Sequence, residues 1–437
     1  MKKINNSVIA LALFVGIANA NAQEKKILTL DEAVQLGIQN SKNLKIDAAK
    51  IEEATADLLE AKNRQLPELK VSGSYMYLPL KPNINIKLPG VSADGGPEVH
   101  QVAYGSANLS VPIYSGGRIK YGIESAKYLV EASKLSTEND KVAIAYNVAQ
   151  AYNNLFKANQ SIKVLEENLS ASQKRDETFL KMENNGIIAR NDRLKANLQT
   201  SNIELQLLEA KNNYNIANIN MDLLLGLPET TEIDVDQNYI EEGNEVKTID
   251  YYINTARENR KDLQALDKQR QAAALGTKAA KAENLPSIAF TGGYVAADIP
   301  KFLTIYNAVN VGVGISYNLS NLWKENSSLK QSKAREMQLS ATNELLNDNI
   351  KLDVNREYQN TDYSKKRIAV FEKSAEQANE NYRITKNKYD NGLATMTELL
   401  DADAAQISAN VGVINAKADA ALAYRKLLQT TGTLTTK

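Results

Sequence analysis

Cysteine is absent from the 437 residues, and histidine occurs once, at His100. These absences exclude a thiol nucleophile, a disulfide framework, a cysteine-rich zinc site and any multi-histidine metal site. A serine-histidine-acid arrangement would have to use His100, which lies in a Gly/Pro-rich stretch and reads as a solvated loop residue. There is no GxxxxGK(S/T) segment, and no GxGxxG follows a strand pattern. The chain therefore offers no catalytic constellation and implies no cofactor; the expectation is a protein that is not an enzyme. An excess of one charge is missing too. With 52 basic and 52 acidic residues, a nucleic-acid partner is not expected. Proline (9), phenylalanine (6) and tryptophan (1) are scarce, whereas tyrosine (20) is plentiful. The middle of the chain is rich in Ala, Leu, Glu, Lys, Asn and Gln, a composition suited to long helices.

The N-terminal MKKINNSVIALALFVGIANANAQ places Lys2 and Lys3 before an apolar run and small residues at Ala20 and Ala22. This predicts a secretory signal peptide, residues 1–22, cleaved after Ala22. The run from Val8 to Ala18 is too short for a spanning helix, which needs about 20 residues. No later stretch is long and apolar enough, so any membrane crossing has to use strands. Without a cysteine after the signal, no lipid anchor on cysteine is expected.

The chain repeats itself. AKNRQLPELKVSGSY (61–75) matches AKAENLPSIAFTGGY (280–294), with Pro67 and Pro286 219 positions apart. NNGIIARNDRL (184–194) matches DNGLATMTELL (390–400), with Gly186 and Gly392 206 apart; Lys211 and Lys417, and Gly226 and Gly432, keep that spacing. This is a tandem duplication in which the first copy carries 13 extra residues. The predicted organisation is a first repeat at 23–228, a connector at 229–246 and a second repeat at 247–437. Each repeat reads helix-strand-strand-helix, the last helix long and folded into a hairpin.

The first helix opens at Thr29, with Glu32 at capping-box spacing, and runs to about Gln65 before Pro67. Period-two stretches predict strands at about 69–79, 104–114, 287–297 and 309–319, each of bilayer-crossing length. In VNVGVGISYNL (309–319) one face is Val, Val, Val, Ile and Tyr, while the other is Asn, Gly, Gly, Ser and Asn. Helix hairpins are predicted at about 118–226 and 324–432. From Arg118 to Asn184 there is no proline, enough for ~100 Å of helix at 1.5 Å per residue. Val148, Tyr152, Leu155, Asn159 and Ile162 follow a 4-3-4-3 seam, as do Leu194, Leu198, Ser201, Leu205 and Leu208. Strands with one oily and one wet face suit a barrel wall between lipid and a lumen. Four strands cannot close, and an open edge in lipid leaves backbone groups unpaired. Two chains would give eight strands and a filled interior; three would give twelve and a lumen, which is the favoured count.

In this order and spacing, LPELKVSGSY, LPSIAFTGGY, VPIYSGGRIKYGIESAK and the NGLATMTELLDA turn resemble the TolC family of outer-membrane efflux proteins, over about residues 28–434. The resemblance implies a mainly α fold with a membrane β-barrel portion. In it a homotrimer forms a 12-stranded β-barrel in outer-membrane lipid, continued by a long α-helical, coiled-coil barrel through the periplasm. It also implies a passive channel, the exit duct of a tripartite efflux or type I secretion system. Its partners would be a periplasmic adaptor (membrane fusion protein) and, through it, an inner-membrane transporter. The rival reading is an extended trimeric coiled-coil surface or adhesin protein without a pore. Drug, metal and protein cargo all remain open.

The resemblance also assigns residues. Gly186, Ile187, Gly392 and Leu393 would form the periplasmic tip that docks the adaptor. Glu398 and Asp401 would ring the pore constriction, with Asp192 matching Glu398 in the first copy and Lys195 matching Asp401. Like charges from three copies would crowd there, raising local pKa values and binding blocking cations. Asp192 and Tyr389 would form a closure pair, although the family's basic partner is replaced by Ala394. The long outer loop expected at 78–103, with four of the nine prolines, reads as a variable surface loop.

Overall fold

The computed structural model describes residues 25–80, 82, 99–240, 246–300 and 302–434. The signal peptide expected at 1–22 lies outside them, as do most of the expected outer loop and residues 241–245 of the expected connector. In chain order the elements are β1 (Lys25–Leu28), α1 (Leu30–Asn40), α2 (Lys42–Asn63), β2 (Glu68–Tyr77), β3 (Gln101–Tyr114), α3 (Arg118–Asn184), α4 (Arg190–Leu225), β4 (Glu232–Val235), α5 (Ile249–Asn259), α6 (Lys261–Ala282), β5 (Ser287–Ile299), β6 (Leu303–Ser316), α7 (Ser327–Asp390) and α8 (Met396–Thr430). They fall into two compact units. One takes the described residues up to Lys45 with 138–260 and 349–437; the other takes 46–137 and 261–348. The units cut across the sequence repeats, since each holds pieces of both copies.

The second unit carries an antiparallel sheet in the order β2-β3-β5-β6. Side chains alternate between its faces. One row across it is Leu69, Leu109, Gly292 and Val311; the next is Lys70, Asn108, Gly293 and Asn310. β6 runs Leu303–Ser316 rather than 309–319. Residues 303–305 already pair with the end of β5, and Asn318 leaves the strand to cap a short 3-10 turn. At the foot of the sheet Gly116 has φ +64°, and a Cβ there would lie 2.9 Å from Leu285 Cβ, so both conformation and space require glycine.

The first unit combines the greater part of the long hairpins, from residues 138 and 349 onward, with a small parallel sheet of β1 and β4. Its core gathers Leu28, Val34, Tyr152, Leu155, Phe156, Met221, Leu225 and Ile233. The Tyr152 hydroxyl donates to Leu28 O (2.8 Å) and accepts from Asp236 N–H (2.8 Å), so α3 is tied to both sides of that sheet. Of the two seams read from sequence, Val148, Tyr152 and Leu155 are buried. The α4 seam is not. Leu198 is 63% exposed and Leu208 66%, and α4 instead packs through Ala196, Thr200, Ile203, Leu207 and Ala210. Helix α4 carries two seams of the same period, and the smaller side chains allow the closer approach inside the chain.

The single helix expected from Thr29 to Gln65 is two helices. Thr29 and Glu32 form the capping box, but α1 ends at Asn40. Ser41 is extended (φ −57°, ψ 123°) and its hydroxyl accepts from Leu44 N–H (3.3 Å), starting α2. The second copy breaks at Arg260 in the same way (φ −62°, ψ 120°). Each break serves a long helix. Asn40 Nδ2 donates to Leu225 O (2.7 Å) at the end of α4, and Arg260 donates to Thr430 O (3.2 Å) at the end of α8.

A polar cluster fastens α4 to β4. Asn218 donates to Asp222 (3.0 Å) and to Thr231 O (2.6 Å) and accepts from Ile233 N–H (2.9 Å). Asp222 is fully buried and its Oδ1 has no partner. Burial, reinforced by Glu229, raises its pKa from 3.8 to about 6. Because the folded-state pKa lies above the unfolded one, this group costs nothing below pH 4. The cost grows as pH rises toward 6 and is constant above, on the order of 3 kcal/mol for a shift of about two units. Asp222→Asn is therefore expected to stabilise the chain by about 1–3 kcal/mol at pH 7.5 and to do nothing at pH 4. Thermal melts at the two pH values check this; equal effects at both would refute the burial argument.

Candidate functional site: an unpartnered sheet and a two-hairpin tip

Two regions present uncovered apolar surface among the described residues. The first is the sheet. On its polar face Ser72 and Ser106 hydroxyls bond at 2.9 Å, and Asn108 Nδ2 donates to Ser106 Oγ at 3.2 Å. Its other face, with Val71, Val309, Val311, Val313 and Ile315 around a half-buried Leu109, is left open by the described residues: Val311 is 69% exposed and Ile315 73%. The outer edges of β2 and β6 pair with no strand among the described residues. An apolar sheet face with two open edges is unfavourable in water.

The second region is the paired tip of the hairpins. Gly186 and Gly392 both have φ +73°, and a Cβ at either would touch nothing, so backbone conformation alone requires glycine. Each ends its helix with a 6→1 hydrogen bond, Ile187 N–H to Met182 O (2.9 Å) and Leu393 N–H to Lys388 O (2.8 Å). The residues that follow, Ile187 (66% exposed) and Leu393 (78%), project without cover. Beneath them Phe179, Ala196, Met396 and Leu399 form a core shared by both hairpins.

Tyr389 packs edge-on against Phe179, ring centroids 5.8 Å apart. Burial raises its pKa, with the charges of Asp192 and Asp390 adding to the effect. No hydrogen bond joins Tyr389 to Asp192 within the chain; Asp192 pairs with Lys195 at 3.3 Å. Glu398 is not a free carboxylate. It closes a capping box on Thr395, accepting the backbone N–H (2.6 Å) and the hydroxyl (2.9 Å), and these bonds lower its pKa. A rise at Glu398 was the expectation for crowded copies; inside one chain the cap works the other way. Asp401 is exposed and makes no ion pair among the described residues. In the first copy Ala189 occupies the cap position and supplies no side-chain bond, so Asp192 has no such role.

The feature that sequence reading missed lies just above the tip. Arg175 on α3 donates to Asp403 on α8 (2.6 Å), to Tyr382 on α7 (3.3 Å) and to Ser172 (3.3 Å), and Ser172 bonds Thr200 on α4 (2.8 Å). Asp403 is buried and Arg175 largely so, their side chains 8% and 14% exposed. Desolvation opposes the Arg175 charge, but the hydrogen bond and charge of Asp403 outweigh it and raise the pKa. A signal was present in Met396, Leu399, Asp403 and Ile407, which recur at helical spacing and put Asp403 on the buried side, away from Asp401.

No helix among the described residues is long and apolar enough to cross a membrane. No group of three or more His, Cys, Asp or Glu among them could hold a metal ion. The sequence profile of the outer membrane efflux protein family matches residues 33–227 and 252–433. No curated protein matches the chain in sequence. Solved structures share its fold. The outer membrane protein VceC from Vibrio cholerae superposes with a TM-score of 0.76 at 17% identity, covering 92% of this chain and 96% of that one. The Campylobacter jejuni CmeC outer membrane channel gives 0.76 at 19%, covering 93% and 86%. The open state of the Neisseria gonorrhoeae MtrE outer membrane channel gives 0.73 at 18%, covering 93% and 89%.

Proposed function

The chain belongs to the outer membrane efflux protein family, and we propose that three copies assemble into a passive outer-membrane exit duct of a tripartite efflux or type I secretion system. The observation that carries this is the four-stranded sheet with an uncovered apolar face. Its strands alternate in direction, so β6 of one copy runs antiparallel to β2 of the next and pairing can continue around a ring. Three copies give twelve strands, enough for a lumen lined by the Ser/Asn/Gly face, where two would leave a filled interior. The uncovered α4 seam supports the same count of partners, because the long helices of neighbouring copies would cover it below the membrane. An adhesin without a pore gives no reason for the sheet.

In this reading residues 1–22 are removed on export, no lipid anchor is attached to cysteine, and the repeats at 23–228 and 247–437 build barrel and helical duct. Gly186, Ile187, Gly392 and Leu393 present exposed apolar tips to a periplasmic adaptor, which links the duct to an inner-membrane transporter. Glu398, Asp401 and Asp192 line the constriction, and Asp192 with Tyr389 contributes to closure between neighbouring chains. Purified protein in planar bilayers should conduct as a trimer; absence of any channel would sink the proposal. Glu398→Gln with Asp401→Asn removes charge while an amide oxygen can still accept the Thr395 cap. The expected result is a rise on the order of tenfold in the Mg²⁺ concentration needed for half-block, equivalent to about 1.4 kcal/mol. Unchanged block would remove both residues from the constriction.

A further inference from the structure

The duplication reaches into the register of the sheet. β2 pairs with β3 so that Val71 lies opposite Ala107, and β5 pairs with β6 so that Phe290 lies opposite Val313. Val71 and Phe290 are 219 positions apart and Ala107 and Val313 are 206 apart, the same two spacings that relate the repeats in sequence. The two strand hairpins are therefore copies in register as well as in order. One joint connects them, β3 against β5, with Ala107 opposite Tyr294, Asn108 opposite Gly293 and Ser106 opposite Val295. In a ring of chains its counterpart is β6 of one chain against β2 of the next.

We infer that the joint between chains repeats the β3–β5 joint residue for residue: Val313 lies opposite Tyr75 of the next chain, Gly314 opposite its Ser74 and Gly312 opposite its Met76. These pairs follow from moving β3 forward by 206 positions and β5 back by 219. The faces then agree. Val311, Val313 and Ile315 meet strand positions on the face of Val71 and Tyr75, whereas a slip of one residue would turn a whole strand over. The glycines of β6 also gain a reason. A Cβ at Gly312 would lie 4.0 Å from Thr291 Oγ1 and one at Gly314 3.7 Å from Thr291 Cγ2, both ordinary contacts, so nothing inside the chain demands glycine at either position. Across the joint, their missing side chains make room for Met76 and Ser74. The internal joint shows the same contrast, since a Cβ at Gly293 would crowd Asn108 Oδ1 at 3.2 Å. On the apolar face the register sets Tyr75 beside Val313, a favourable aromatic and β-branched pair. Every residue of these pairs is exposed in the single chain. The inference rests on the trimeric duct proposed above.

The chain has no cysteine, so introduced pairs report alone. Within one chain, positions 74 and 314 are separated by β3 and β5. Three strand steps of about 4.8 Å put them roughly 14 Å apart, too far for a disulfide. Ser74→Cys with Gly314→Cys, and separately Met76→Cys with Gly312→Cys, are expected to yield a covalent trimer on a non-reducing denaturing gel after oxidation. Ser72→Cys with Gly314→Cys and Met76→Cys with Gly314→Cys test a displacement of two residues in either direction. Their Cα atoms would lie beyond about 7 Å, so about tenfold less bridged protein is expected. Bridging by a displaced pair as strong as by the two in-register pairs, or no bridge from any pair in protein that still conducts as a trimer, overturns the register. Failure of the trimeric reading looks different: the natural protein forms no channel, or the bridged bands continue past three chains, and the register falls with the ring it requires.

Discussion

Val311→Arg will abolish stable insertion of the protein into the outer membrane, while Asn310→Arg, one residue away on the same strand, will not. Val311 lies on the row Leu69, Leu109, Gly292 and Val311, near the middle of β6. Facing lipid there, arginine costs about 2–4 kcal/mol. The substitution recurs in each chain of a trimer, so the assembled barrel would carry ~6–12 kcal/mol, comparable to the whole stability of many domains. Asn310 lies on the row Lys70, Asn108, Gly293 and Asn310, which already carries a lysine and amides. In the proposed duct an arginine added there would meet water in the lumen. Fractionation of cells, followed by gel analysis of unheated outer-membrane protein, reads both outcomes. Equal insertion of the two variants would show that neither face meets lipid; failure of Asn310→Arg alone would invert the assignment of faces.

The strands that make this prediction were legible because period two is a local pattern, and because duplication displayed it twice. The hairpin tips were legible for a related reason: a glycine at φ +73° leaves its mark on sequence wherever a long helix reverses. Breaks without glycine or proline left no such mark. At Ser41 and Arg260 the chain turns with ordinary backbone angles, and what fixes the turn is capping of α4 and α8, which lie far along the chain. The T-x-x-E spacing at Thr395–Glu398 is the same as at Thr29–Glu32, so the second cap was readable. The family resemblance assigned Glu398 a pore charge instead, and the two roles are compatible only if the cap leaves one edge of the carboxylate free. Helix α4 shows the sharpest limit. Its two seams have equal period, and only packing decides that Ala196, Thr200, Ile203 and Leu207 face inward while Leu194, Leu198, Leu205 and Leu208 stay bare. A one-chain pattern cannot say which seam serves the chain and which serves its neighbour.

Arg175 carries the second large effect. Arg175→Ala is expected to destabilise the folded chain by about 3–5 kcal/mol, the penalty for leaving one member of a buried pair without its counter-charge. Asp403 could at most gain a hydrogen bond from the Tyr382 hydroxyl, which now accepts from Arg175, since Ser172 and Thr200 already bond each other and no second cation among the described residues bonds it. Replacing both, Arg175→Met with Asp403→Leu, should cost far less and can be neutral, because apolar side chains of similar size extend the packing of Phe179, Met396 and Leu399. Tyr382→Phe removes only a long bond, at about 0.5–1.5 kcal/mol. Denaturant unfolding of the single and double variants, combined as a double-mutant cycle, isolates the pair. A coupling below about 1 kcal/mol is what an exposed pair would give. That value would mean water reaches Arg175 in solution, and the shared core alone would then have to hold the two hairpins together.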